Sequence, residues 1–214
     1  MGKVRPDHAG RLKGKFGNTV YYMLGQDNIG RMNCFDPRIS NSDESTRVKN
    51  LFKERISWST ATLEASKLGF PQATVNTSAG NLFMTENTKI FTQEDLSMPV
   101  AVDFEKMQFS KGRLEEPEVN YSYEEGGNSL TFTITDNSGD PGANPDDQIC
   151  VVVLETERKR AKVSVLASRE ESGIKTVTIP SRWNKDNLQV YTFATNKRLK
   201  IASPTVYLGT STPI

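Results

Sequence analysis

The chain has 214 residues, 36% of them hydrophobic and 25% charged, with a formal net charge of +1. This length can bury one large core or two small ones, and the near-zero net charge creates no global field for nucleic acid or a membrane surface. No apolar run approaches the ~18–20 residues of a membrane-spanning helix, and Met1-Gly-Lys-Val-Arg-Pro6 lacks the apolar stretch of a secretory signal, so no membrane and a cytoplasmic location are expected.

Residues 1–38 hold seven Lys or Arg against three Asp, a local charge of +4. The glycine-punctuated stretch Gly10-Arg-Leu-Lys-Gly-Lys-Phe-Gly-Asn18 leads into Thr19-Val-Tyr-Tyr-Met-Leu24, a β-branched and aromatic run. Turn chemistry at Gly25-Gln-Asp-Asn28 and the return Ile29-Gly-Arg-Met32 complete a hairpin. A helix follows, opened by a capping signal in Asn41-Ser-Asp-Glu44 and carrying the stripe Val48, Phe52, Ile56 and Leu63, with Leu51 and Trp58 beside it. Gly69 fits a left-handed C-terminal cap, and Pro71 prevents continuation. A second helix is expected from about Val75 to Ile90, antiparallel to the first across Gly69-Phe-Pro-Gln72. The apolar faces of this pair must pack on the hairpin sheet, on the rest of the chain or on another subunit.

From Pro99 the hydrophobic period changes from helical to two. Val100–Phe104 and Lys106–Phe109 read as strands, followed by Val119–Tyr123, Leu130–Thr135, Ile149–Glu155, Lys162–Ala167, Lys175–Ile179, Leu188–Thr195 and Ile201–Leu208. Seven short strands in about ninety residues, each bounded by turn residues, have the spacing of an immunoglobulin-like sandwich. The expected class is α+β: a β-hairpin and two-helix lobe over 1–98, bridging strands over 99–116, and a seven-stranded immunoglobulin- or fibronectin-III-like β-sandwich over 117–214.

Candidate chemistry is sparse. His8 has no nucleophile nearby in sequence, and Cys34 and Cys150 lie far apart. Cys150 opens an apolar strand and reads as a small buried core residue. Neither a nucleophile elbow, a Walker loop nor a dinucleotide fingerprint occurs, so the chain is read as no enzyme, with no cofactor and no metal. Asp136–Asp147 offers oxygen ligands without the spacing of a calcium loop and reads as a polar connection. The turns Glu157-Arg-Lys-Arg160 and Asn196-Lys-Arg-Leu-Lys200 read as solvated tips. Arg11, Lys13, Lys15, Phe16 and Arg31 are the candidates for docking to a partner or contacting nucleic acid, combining cations with an aromatic ring. Trp183, Tyr191 or Tyr207 could stack on a glycan or other ligand, with Trp183, in Pro180-Ser-Arg-Trp-Asn184, the first candidate, although core packing is the simpler role there.

Val190-Tyr-Thr-Phe-Ala-Thr-Asn196, followed by Ala202-Ser-Pro204, resembles the end of a fibronectin type III module. The tryptophan frequent on the second strand of such modules is absent, with Ile134 at a comparable apolar position. The whole chain resembles an uncharacterised family of small proteins, a domain of unknown function frequent in gut Bacteroidota. That resemblance rests on Gly14-Lys-Phe-Gly-Asn-Thr-Val20, Arg31, Arg47, Phe52, Phe109-Ser-Lys-Gly-Arg-Leu114, Leu130-Thr-Phe-Thr-Ile-Thr-Asp-Asn137 and Val206-Tyr-Leu-Gly-Thr210. Glycine-rich basic openings also resemble those of phage and prophage proteins, which implies a virion as a second possible location. The expected function is structural or protein-interacting: the sandwich is a spacer, the basic arm a docking element, and the partner another protein or a second copy. The alternatives are nucleic-acid association through the arm and glycan or ligand binding.

Overall fold

The structure, a computed structural model, describes residues 2–3, 12–33, 42–123, 127–196 and 198–210. The described chain is α+β, with three α-helices and several antiparallel sheets. The first sheet contains β1 (Gly2–Lys3), β2 (Gly14–Phe16), β3 (Thr19–Leu24) and β4 (Asp27–Met32) in the order β1-β4-β3-β2. Its hairpins close through Gly17 and Gly25 at φ 56° and 62°, the positive φ that two-residue turns require.

Helix α1 (Asp43–Ala61) starts one residue later than the expected capping pattern: the Ser42 hydroxyl, rather than Asn41, caps it, accepting from the Ser45 amide at 3.2 Å. Asn41 lies outside the described residues. The single helix expected through to Gly69 is divided at Thr62, whose buried hydroxyl donates to the Trp58 carbonyl at 2.8 Å. Back-bonding of this kind competes with the helical ladder, Thr62 departs from helical geometry at φ −104° and ψ 14°, and α2 (Leu63–Gly69) begins after it. Gly69 is not a left-handed cap, since it is absent from the positive-φ residues. It is needed for close approach: a Cβ there would press on the Phe109 carbonyl and lie 2.6 Å from Ser110 Cβ.

The inward face of the helix also differs from the expected stripe. Trp58 and Ala65 are buried, with Leu51 and Leu68 packed beside them, whereas Val48, Phe52 and Ile56 are 52%, 50% and 43% exposed. Both rows satisfy a helical period, and only the position of the rest of the chain chooses between them. α3 (Ala79–Glu86) begins four residues after the expected start, because Thr74 accepts from the Asn76 and Thr77 amides in a local turn and Ser78 caps the helix through the Asn81 amide. Thr88–Ile90 is a single 3-10 turn.

β5 (Phe91–Thr92) pairs with β6 (Ala101–Val102), which shortens the expected strand at 100–104. The alternation at 106–109 reflects burial without a ladder. Met107 and Phe109 are fully buried, while the Asn87 amide bonds both the N–H and the C=O of Gln108 at 2.8 Å. The Thr205 hydroxyl accepts from the Phe109 and Ser110 amides at 2.9 Å. Side chains here satisfy backbone groups that a neighbouring strand would otherwise serve.

The remaining seven strands are β7 (Val119–Tyr123), β8 (Ser129–Ile134), β9 (Gln148–Glu155), β10 (Arg160–Ser168), β11 (Gly173–Thr178), β12 (Leu188–Thr195) and β13 (Val206–Thr210). They form a three-stranded sheet β11-β8-β7 and a four-stranded sheet β10-β9-β12-β13. β13 is shorter than expected: Ala202 makes only an isolated bridge to Thr195, and Pro204 interrupts the ladder because it has no amide proton.

Two cores share the four-stranded sheet. On one side Ile149, Val151, Val153 and Val190 meet Leu130, Phe132 and Ile134 of the three-stranded sheet. On the other, Cys150, Val152, Leu154, Tyr191 and Phe193 meet Trp58, Phe83, Met107 and Phe109. The helices therefore pack on the outer face of this sheet. Consistent with burial on both faces, β9 is apolar at every position from Ile149 to Leu154 and does not alternate.

Candidate functional site

Arg11 and His8 lie outside the described residues. On the N-terminal sheet, Lys13, Lys15 and Arg31 are exposed and Phe16 is 54% exposed, but the pairing register separates them. Lys15 pairs with Val20, and Val20 with Arg31, which places both cations on one face, with Arg31 5.8 Å over the Tyr22 ring. Phe16 pairs with Thr19 on the other face, edge-on to Tyr21 at 5.8 Å. Residues adjacent in sequence alternate across a strand, so the cations and the Phe16 ring do not form one stacking-and-charge surface.

Trp183 is buried in the core between the two sheets, and its ring is not offered to a ligand. Tyr191, fully buried, donates its hydroxyl to the Phe104 carbonyl at 2.7 Å. Tyr207 donates to Gln189 at 2.7 Å. Burial pushes the Cys150 thiol up to about 12, the behaviour of an inert core sulfur. Cys34 lies outside the described residues. Among the described residues, no group of three or more His, Cys, Asp or Glu is placed to hold a metal, and no helix is long and apolar enough to cross a membrane.

The two basic turns differ in environment. Lys159, at φ 52°, reaches α1, where its ammonium bonds Glu54 at 2.6 Å and lies 6.0 Å from the Trp58 ring. This tip docks on the helix and is not a freely solvated turn. In the second turn the Asn196 side chain accepts from the Lys200 amide at 2.7 Å, while Arg198 and Lys200 are exposed.

The acidic loop is built around an ion pair that the sequence does not announce. Arg169 and Asp147 are both fully buried, with Nε 3.4 Å from the carboxylate. The guanidinium also donates to Asn137 Oδ1 at 2.8 Å and to the carbonyls of Glu115 and Glu116. Desolvation lowers the Arg169 pKa, opposed by Asp147 and Glu115. In the chain, Ser168-Arg-Glu-Glu171 has the composition of a solvated turn, and no local pattern marks Arg169 as a core residue.

Two open depressions lie on the surface of the described residues. One, of about 590 Å³, runs between α1 and α3 and includes Phe52, Arg55, Ile56 and Met84. The other, of about 540 Å³, lies where the 111–114 strap crosses the 142–144 loop and the 200–202 segment. The strap is held by the Leu114 amide on the Ala202 carbonyl at 3.1 Å and the Glu115 amide on the Gly142 carbonyl at 3.2 Å. Gly112 sits so close that a Cβ would run into the Ala202 backbone.

No curated protein and no solved structure matches this chain. The family of unknown function DUF6266 matches residues 64–209, a stretch reaching from α2 to β13 that contains the shared sheet and most of the two cores on its faces, Trp58 preceding it, and the chain belongs to that family.

Proposed function

We propose that this is a non-enzymatic interaction protein in which a fibronectin-III-like sandwich supplies a rigid body and the N-terminal part supplies the docking element. The strand partition supports the sandwich reading. The first, second and fifth of the seven strands form one sheet, and the third, fourth, sixth and seventh form the sheet facing it over a common core. The observation that carries the docking reading is where the exposed apolar side chains gather. Phe16 and Met32 share one face of the N-terminal sheet through Thr19, 54% and 81% exposed, with Leu24 (43%) on the other face, and Val48, Phe52 and Ile56 form a line along α1. Apolar groups gathered in this way mark a contact surface, and a helix row at i, i+4 and i+8 is a ridge that fits the groove of a second helix. All six residues precede the family-matched stretch.

Affinity capture from the source cells, comparing the wild-type chain with Phe52→Glu and Phe16→Glu, tests the reading. Loss of specific partners from the variants, with unchanged thermal melting, is the expected result. The same partners on all three baits would overturn it.

A further inference from the structure

Two patches of opposite charge flank one loop. On one side, Gly142 and Asn144 contribute to the 540 Å³ groove, whose cations are Lys111, Arg113 and Lys200 and whose lining includes no carboxylate. On the other side, Asp146, Glu170 and Glu171 line a depression of about 410 Å³ that includes Val165 and no cation. Lys111 is already bonded to Glu86 at 2.9 Å, and Glu171 to Lys175 at 3.2 Å. Arg113, Lys200, Asp146 and Glu170 are exposed, and none has an ion-pair partner among the described residues. Two positive charges on one side thus stand against two negative charges on the other. Each patch also carries an exposed apolar side chain, Ile201 at 43% and Val165 at 50%.

The loop between the patches is held rigidly. Arg169 and Asp147 are buried beneath it, the Arg169 amide donates to the Asp147 carbonyl at 3.0 Å, and the Glu170 amide donates to the Pro145 carbonyl at 3.3 Å. Asn144 on the basic side and Asp146 on the acidic side are two residues apart, so the patches are neighbours on a preorganised surface.

We propose that this end of the molecule is a self-complementary interface for a second copy of the chain. In a two-fold pair, Asp146 and Glu170 of one copy seat on Arg113 and Lys200 of the other, and the symmetric contact forms at the same time. The closeness of the two patches selects this occupant. An acidic partner covering the groove would bring like charge onto Asp146 and Glu170, which is costly. Nucleic acid would meet the same repulsion. A copy rotated by a two-fold axis meets opposite charge on both sides and covers Ile201 and Val165.

The test is a charge exchange in the full-length chain, measured by light scattering and sedimentation at ~50 mM salt, where exposed charges are only weakly screened. The wild type is expected to dimerise, with affinity falling as salt rises. Arg113→Glu/Lys200→Glu and Asp146→Lys/Glu170→Lys, each alone, are expected to raise the dimer dissociation constant at least about tenfold. An equimolar mixture of the two is expected to dimerise again, because both contacts are restored in the mixed pair. Arg182→Glu/Lys185→Glu, in the turn before β12 at the other end of that strand, has the same charge change as the groove variant and should leave the wild-type affinity intact. If it instead matches the groove variant, the effect is one of net charge and the proposal falls. A wild-type monomer at ~1 mM protein would overturn it, as would a dimer that survives both reversals. A dimer lost in Phe52→Glu and retained in the charge variants would place self-association on α1 instead. Circular dichroism melts confirm that each variant is folded.

Discussion

The molecule contains two four-stranded antiparallel sheets with the same kind of hydrogen-bond ladder and opposite environments. In the N-terminal sheet only Asn28 and Ile29 of β3 and β4 are buried, and all of β2 is exposed. In the C-terminal sheet, β9 is buried everywhere except Gln148, and β12 everywhere except Gln189. Tight turns at Gly17 and Gly25 specify β2, β3 and β4 of the first sheet locally, whereas β1 joins β4 at long range. The second is specified by two layers packed on it from opposite sides. Backbone pairing therefore says little about how much a sheet contributes to stability, since most of that contribution comes from the apolar area removed from water. The family match covers the second sheet and not the first.

Mutations can break this contrast, beginning with the doubly buried sheet. Phe193→Ala removes a fully buried ring from the helix-facing core and should cost about 3–5 kcal/mol in urea denaturation. Arg169→Met should cost about 3 kcal/mol by leaving Asp147 buried without its cation. Adding Asp147→Leu should recover much of that loss, and no recovery would mean that the bonds to the 115–116 carbonyls matter more than the ion pair. Gly69→Ala should cost about 1–3 kcal/mol, because the new methyl group meets the Phe109–Ser110 backbone.

Cys150 sharpens the contrast through pH. Its thiol is raised from an ordinary value of 9.0 to about 12 by burial. The unfolded chain therefore loses this proton first, and stability should fall as pH rises from about 9 toward 12. A Cys150→Ala variant should show a shallower alkaline decline in its melting temperature, and native alkylation at Cys150, followed by mass spectrometry, should be negligible until denaturant is added. The smallest effect is expected on the open side: Met32→Ser and Phe52→Glu should shift stability by no more than about 0.5 kcal/mol. A large loss from either would show that the exposed apolar row belongs to a core.

Much of the strand pattern was legible because alternation and turn residues act locally. Leu130, Phe132 and Ile134 alternate inward as expected, and β12 runs over the expected Leu188–Thr195. Helix α1 was legible as a helix, but not in its orientation. Val48, Phe52 and Ile56 compete with Leu51, Trp58 and Ala65 for the inward face, and helical periodicity admits both rows. Thr62 shows the same limit, since the break between α1 and α2 comes with its own dihedrals and its bond to the Trp58 carbonyl. The N-terminal candidates grouped naturally in the chain, and a two-residue strand period then placed Phe16 opposite Lys15 and Arg31. Arg169 and the strap at 111–114 left no local signal because their partners lie 22 to 88 residues away in the chain.

By itself the sequence determined the mixed class, the order of the seven C-terminal strands, the hairpin turns and the buried character of Cys150, all consequences of short-range sterics and of side-chain periodicity. Only the tertiary structure decided that the helices cover the outer face of the C-terminal sheet, that Trp183 turns inward and that opposite charges flank the 136–147 loop. Those outcomes depend on which surfaces meet once the chain has closed on itself, where burial and desolvation act between residues that no local pattern connects.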